Sequence, residues 1–106
     1  MRLVIAEPAE HDLDGIIGYI ALDNPAAAEK VYRAIVAAAG RLTRLPEIGR
    51  AGRLPGTREL TVPSLPYLIV YQVAAEIVTI LAVLHSARDL PAALAERKRQ
   101  LDPPQQ

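Results

Sequence analysis

The chain has 106 residues, with 12 basic and 12 acidic side chains, four Tyr, and no Cys, Trp or Phe. That length bounds it to one domain whose modest core must be aliphatic. The absence of Cys excludes disulfides, thiolate metal sites and cysteine nucleophiles and points to the cytoplasm, while the balanced charge removes any global electrostatic case for nucleic acid.

Leu3, Val4 and Ile5 read as a short buried strand within residues 2–6. Glu7 and Pro8 cut this run, which is too short for a signal peptide or a membrane span. Pro8 suits the first turn of a helix, where its missing N–H costs nothing. Leu13, Ile16, Ile17 and Ile20 then form one helical stripe. Gly15 and Gly18 weaken that helix and would let another backbone approach closely. Asn24-Pro25 starts a second helix, with Asn as cap and Pro at the first position. Its stripe is Ala27, Val31, Ile35, Ala38 and Leu42. So few residues join the two helices that they should form an antiparallel hairpin.

Pro46, Gly49, Gly52, Pro55 and Gly56 mark a loop. Strands are predicted at about 57–62, 67–73 and 77–85, with Ala74-Ala75-Glu76 as a tight hairpin. Tyr67, Ile69, Tyr71 and Val73 fall on one face of the middle strand, and Leu68, Val70 and Gln72 on the other. Both faces are largely apolar, so this strand should be central. Pro91 begins a short helix running to about Arg99, basic at its end as the helix dipole favours. The expected fold class is α+β: an N-terminal strand, an antiparallel helical hairpin on a small, mostly antiparallel twisted sheet, and a short C-terminal helix. The domain should span residues 1–100, with 101–106 a disordered tail.

Charge is unevenly spread. Between residues 41 and 58, Arg41, Arg44, Arg50, Arg53 and Arg58 stand against Glu47 alone, five minus one, or +4. Four of these arginines accompany turn glycines and prolines rather than a helix face, which favours contact with an acidic partner or nucleic acid over a merely mobile, soluble loop. Arg58, at a strand start, either projects toward a partner or pairs with Glu59 or Asp89. His85 and Arg88 follow the last strand. His85 suits general acid–base work, or it is a strand-end His bonded to backbone. Tyr67 and Tyr71 can stack on a base, or lie in the core with their hydroxyls at its edge. His11, Asp12 and Asp14 could mimic a metal site, although a solvated face fits them better. With no Cys and no clustered His, neither a metal nor an organic cofactor is expected.

Several pieces occur together in order: Asp12-Leu13 with Tyr19-Ile20, Asn24-Pro25 with Ala27-Ala28, Leu45-Pro46 and Gly49-Arg50, Gly56-Thr57-Arg58-Glu59-Leu60, Pro66-Tyr67 with Ile69-Val70-Tyr71, and Val83-Leu84-His85 followed by Arg88. Their order and spacing across residues 3–91 resemble the RelE/ParE toxins of bacterial type II toxin–antitoxin modules. The resemblance implies one fold with two activities. RelE-type members cut mRNA in the ribosome, and ParE-type members inhibit DNA gyrase. The cutting branch commonly carries an arginine where this chain has Leu68, and paired lysines where it has Glu59 and Thr61. Those departures make the chain look more like ParE. The resemblance therefore implies a gyrase inhibitor without chemistry of its own, neutralised by a ParD-like antitoxin. Arg44, Arg50, Arg53, Arg58, Tyr67, His85 and Arg88 are the residues expected to meet target or antitoxin. The alternatives are a RelE-like endoribonuclease using Arg58, His85 and Arg88, and an inactive homologue kept as an antitoxin-binding module.

Overall fold

The structure is a computed structural model, and it describes residues 1–88 and 90–101. In chain order the elements are β1 (Arg2–Ile5), α1 (Glu7–Asp23), α2 (Pro25–Arg41), β2 (Arg50–Ala51), β3 (Arg58–Thr61), β4 (Tyr67–Ala74), β5 (Ile77–His85) and α3 (Leu90–Leu101). One five-stranded sheet has the order β1-β5-β4-β3-β2. Its pairings are antiparallel except β1 with β5, which run parallel. β4 is central, as its two apolar faces require.

Those two faces serve different layers. Tyr67, Ile69 and Tyr71 pack with Val78, Ile80 and Val83 of β5 against Ala9 of α1 and Ile35, Ala38 and Ala39 of α2. Leu68, Val70 and Ala82 face the opposite way, against Leu90 and Leu94 of α3. The helical hairpin thus covers one side of the sheet and α3 the other. The hairpin joint is built as the sequence requires: Pro25 stands in the first turn of α2, and the Asn24 side chain accepts from the Ala27 N–H at 3.0 Å.

Four expectations are corrected. β1 is an open edge rather than a buried strand, with Val4 and Ile5 exposed, because among the described residues its outer side has no neighbouring strand. Gly15 and Gly18 admit no close backbone: among the described residues, a methyl group at either would meet no atom beyond its own helical turn within 4 Å. The loop after α2 contains a short fifth strand, β2, recruited by β3. The last helix starts one residue earlier and ends later than expected, so Leu101 closes α3 instead of opening a tail. The remaining expected tail, residues 102–106, lies outside the described residues, as does Asp89. Ala75 and Glu76, between paired Ala74 and Ile77, both have positive φ (52° and 62°). This is the two-residue hairpin geometry that ordinarily selects Asn-Gly.

Candidate target-binding cleft and arginine loop

His11, Asp12, Gly15, Ile16 and Tyr19 recur on one face of α1, as helical spacing dictates. That face stands opposite Tyr67 of β4, Val83, Leu84 and His85 of β5, Arg88 beyond it and Ala93 of α3. Between them lies an open cleft of about 510 Å³. Tyr19 is largely exposed at its rim. Gly15 leaves its wall open.

His85 is half-buried and meets Tyr67 edge-on, with ring centroids 5.4 Å apart and planes at 83°. The contact follows from register, since Tyr67 and His85 are paired across β4 and β5. His85 Nδ1 accepts from the Ala87 N–H at 3.1 Å, which places the proton of the neutral ring on Nε2. The turn that follows is held by Ser86 N–H to Pro66 O (2.7 Å) and Arg88 N–H to His85 O (3.2 Å). It sets exposed Arg88 at the mouth of the cleft. The structure therefore brings Tyr67, His85 and Arg88 together. Tyr67 is buried there, so its ring supports His85 more than it offers a stacking platform.

The expected arginines form a separate site. Glu59 has a fully buried side chain, a position a carboxylate holds only when its oxygens are satisfied. Oε2 accepts from the Arg53 backbone N–H at 2.9 Å, and Oε1 accepts from Arg50 Nη2 at 3.2 Å, with Arg53 Nε 3.9 Å away. Glu59 thus anchors the loop from beneath instead of confronting a ligand. Tyr71 anchors it from the other side: its hydroxyl donates to Pro46 O (2.8 Å) and accepts from the Gly49 N–H (2.9 Å). Only glycine fits at position 49, since a methyl there would lie 2.5 Å from the Tyr71 hydroxyl. Arg58 donates to Gly49 O (2.8 Å) and Glu47 O (3.3 Å) and pairs with the Glu47 carboxylate at 3.5 Å. It is thereby turned into the loop, with Glu47 rather than Glu59 as its acid. Arg44 is exposed nearby, and Arg41 is half-buried at the end of α2.

The two sites do not converge. Arg58 pairs with Tyr71, and His85 with Tyr67, four residues along β4. At ~3.3 Å per residue that is about 13 Å of strand. Leu68 is buried under α3, away from the cleft. Among the described residues no group of three or more His, Cys, Asp or Glu is placed to hold a metal ion.

Sequence reasoning missed the cleft's α1 wall and one ion pair. Asp12 does not belong to a solvated face: it pairs with Arg97 of α3, both being largely buried. Tyr19 and Gly15 share a helical face with Asp12 and Ile16, and that face was a legible signal.

The fold is that of the RelE/ParE toxin superfamily. Residues 3–90 match the family described as the ParE toxin of the type II toxin-antitoxin system parDE. The chain is 40% identical over 82 residues to Y4kP of Sinorhizobium fredii; the match covers 77% of this chain and 84% of that one. It is 36% identical over 77 residues to toxin RelE2 of Caulobacter vibrioides, covering 73% and 85%. Among solved structures it is similar to the chromosomal ParDE TA system from P. aeruginosa, at TM-score 0.68 and 26% identity, over 80% of this chain and 95% of that one. The isolated E. coli RelE toxin shares the fold at TM-score 0.55 and 20% identity, over 94% and 98%. The chain belongs to the ParE toxin family: it is a ParE-like toxin of a type II toxin–antitoxin system.

Proposed function

We propose that this toxin acts in the cytoplasm by binding DNA gyrase, without chemistry of its own, and that a ParD-like antitoxin neutralises it. The observation that carries this reading is the separation of its basic groups. Cleavage of RNA at a 2′-hydroxyl needs an acid–base pair and positive charge converging on one phosphate. Here His85 and Arg88 share the cleft, while Arg58 is committed to Glu47 and Gly49 at the far end of β4. Leu68 and Glu59 are buried, and Thr61 bears no charge. What remains is a recognition surface: an open cleft rimmed by Tyr19 and Arg88, and a rigid arginine loop. The P. aeruginosa neighbour belongs to a ParDE system, and exposed arginines on a built loop complement an acidic partner.

The deciding assay runs purified toxin against gyrase with relaxed plasmid and, in parallel, against programmed ribosomes. Inhibited supercoiling, weakened by Arg88→Ala, with intact mRNA is the expected result. Cleaved mRNA abolished by His85→Ala or Arg58→Ala, with supercoiling untouched, overturns it in favour of the ribonuclease. The proposal requires no metal or organic cofactor, and a stoichiometric ion in the purified toxin would contradict it.

A further inference from the structure

The middle of β5 carries an irregularity that decides what the cleft contains. β5 pairs with β4 through Tyr71↔Ile80 and then Val70↔Ala82, so Leu81 is an extra residue, a β-bulge. Before it, Val78 and Ile80 face the helical hairpin; after it, Val83 does. His85 follows Val83 by two and falls on the same side, lining the cleft. Unbroken alternation would instead carry Ala82 and Leu84 to the hairpin side and His85 to the side of α3.

A bulge leaves backbone groups to be satisfied, and here it coincides with the end of the neighbouring strand. The last bond between β5 and the β1 segment runs from Ala6 N–H to Ile80 O, at 2.9 Å. Beyond it, among the described residues, the Leu81 carbonyl and the Val83 N–H have no strand to meet. Arg97 Nη1 donates to Leu81 O at 2.9 Å, and the Val83 N–H donates to Asp12 Oδ2 at 2.9 Å. Asp12 and Arg97 are joined to each other at 2.6 and 2.7 Å. The chemistry is matched: a guanidinium only donates and a carboxylate only accepts. An ion pair from α1 and α3 stands in for the missing strand.

We infer that Asp12 and Arg97 are positioning residues: their ion pair holds the Leu81 bulge and so aims His85 and Arg88 into the α1 cleft. The functional consequence, though not the geometry, rests on the proposed use of that cleft. Three variants separate the contributions. Asp12→Ala removes the acceptor, Asp12→Asn keeps one oxygen for the Val83 N–H, and Arg97→Met keeps most of the apolar stem but frees Leu81 O.

In the full-length toxin, NMR reads the exchange rate of the Val83 amide and the ring–ring cross-peak between His85 and Tyr67. Supercoiling inhibition is measured alongside. Asp12→Ala and Arg97→Met should speed Val83 exchange at least tenfold, weaken the His85–Tyr67 cross-peak and raise the inhibitory concentration about tenfold. Asp12→Asn should recover part of each. A folded Asp12→Ala or Arg97→Met protein with both NMR signals unchanged overturns the inference. Should the variants not fold, the wild type decides: slow Val83 exchange supports the clamp, and exchange at the rate of an open edge amide refutes it. If the NMR signals move as expected but inhibition is unchanged both in these variants and in Arg88→Ala, the clamp stands and the gyrase-binding reading of the cleft falls.

Discussion

Gly15 and Gly18 allow the cleft to be tested without damaging the fold. Both lie inside α1, where glycine costs roughly 0.5–1 kcal/mol relative to alanine through chain entropy. Neither position is crowded, since among the described residues an added methyl would touch nothing beyond its own helical turn within 4 Å. Gly15→Ala and Gly18→Ala should therefore each stabilise the protein by about 0.5–1 kcal/mol. With an unfolding entropy of roughly 2 cal/mol/K per residue, this corresponds to about 2–5 °C in Tm for a domain of this size. The two sites differ in what a larger side chain reaches. Gly15 lines the cleft beside Asp12, Ile16 and Tyr19, and Gly18 does not. Gly15→Leu should fold as well as Gly18→Leu, because leucine is nearly as good a helix former as alanine. Only Gly15→Leu should obstruct the cleft, and its inhibition of supercoiling should fall at least tenfold, a loss of about 1.4 kcal/mol. Thermal melts and a supercoiling titration of the four variants make the comparison. Destabilisation by Gly15→Ala would refute the open wall. Full inhibition by a well-folded Gly15→Leu protein would show that the target does not enter the cleft.

The arginine loop has its own signature. Tyr71→Phe removes a buried hydroxyl bonded to both Pro46 O and Gly49 N, and should cost about 1–3 kcal/mol in urea unfolding. Gly49→Ala should cost a similar ~1–3 kcal/mol by overpacking against that hydroxyl, and pairing it with Tyr71→Phe should recover part of the loss. At the exposed ends of the Glu59 network, Arg50→Gln with Arg53→Gln should weaken antitoxin binding and flatten its salt dependence. An unchanged affinity across a salt series would remove the loop from that interface. In the β4–β5 turn, Ala75→Asn with Glu76→Gly should raise stability by ~1–2 kcal/mol by relieving two positive-φ residues, as denaturant titration would show.

Local pattern was enough to read most elements. The Asn24-Pro25 start, the stripe ending in Ile35, Ala38 and Leu42, and the two apolar faces of residues 67–73 each follow from chain chemistry within one or two turns. The resemblance to RelE/ParE toxins was legible for the same reason, since it rests on ordered short pieces. The Tyr67–His85–Arg88 grouping was half legible: each residue stood out, but their meeting depends on strand register. What only the tertiary structure decided is how charge is used. Glu59 stood out only as an acid where the cutting relatives carry a lysine, and is the buried anchor of Arg50 and Arg53. Arg58 either projected outward or paired with Glu59 or Asp89 on sequence grounds, and is turned into the loop by Glu47 and the Gly49 carbonyl. Asp12 read as part of a solvated helix face, and it forms one clamp with Arg97, 85 residues away. Hydrophobic periodicity is a local code because every apolar side chain wants the same thing, removal from water. An ion pair needs one particular partner and one particular backbone group. Here those come together only when the bulge at Leu81, the end of β1 and the docking of α3 coincide.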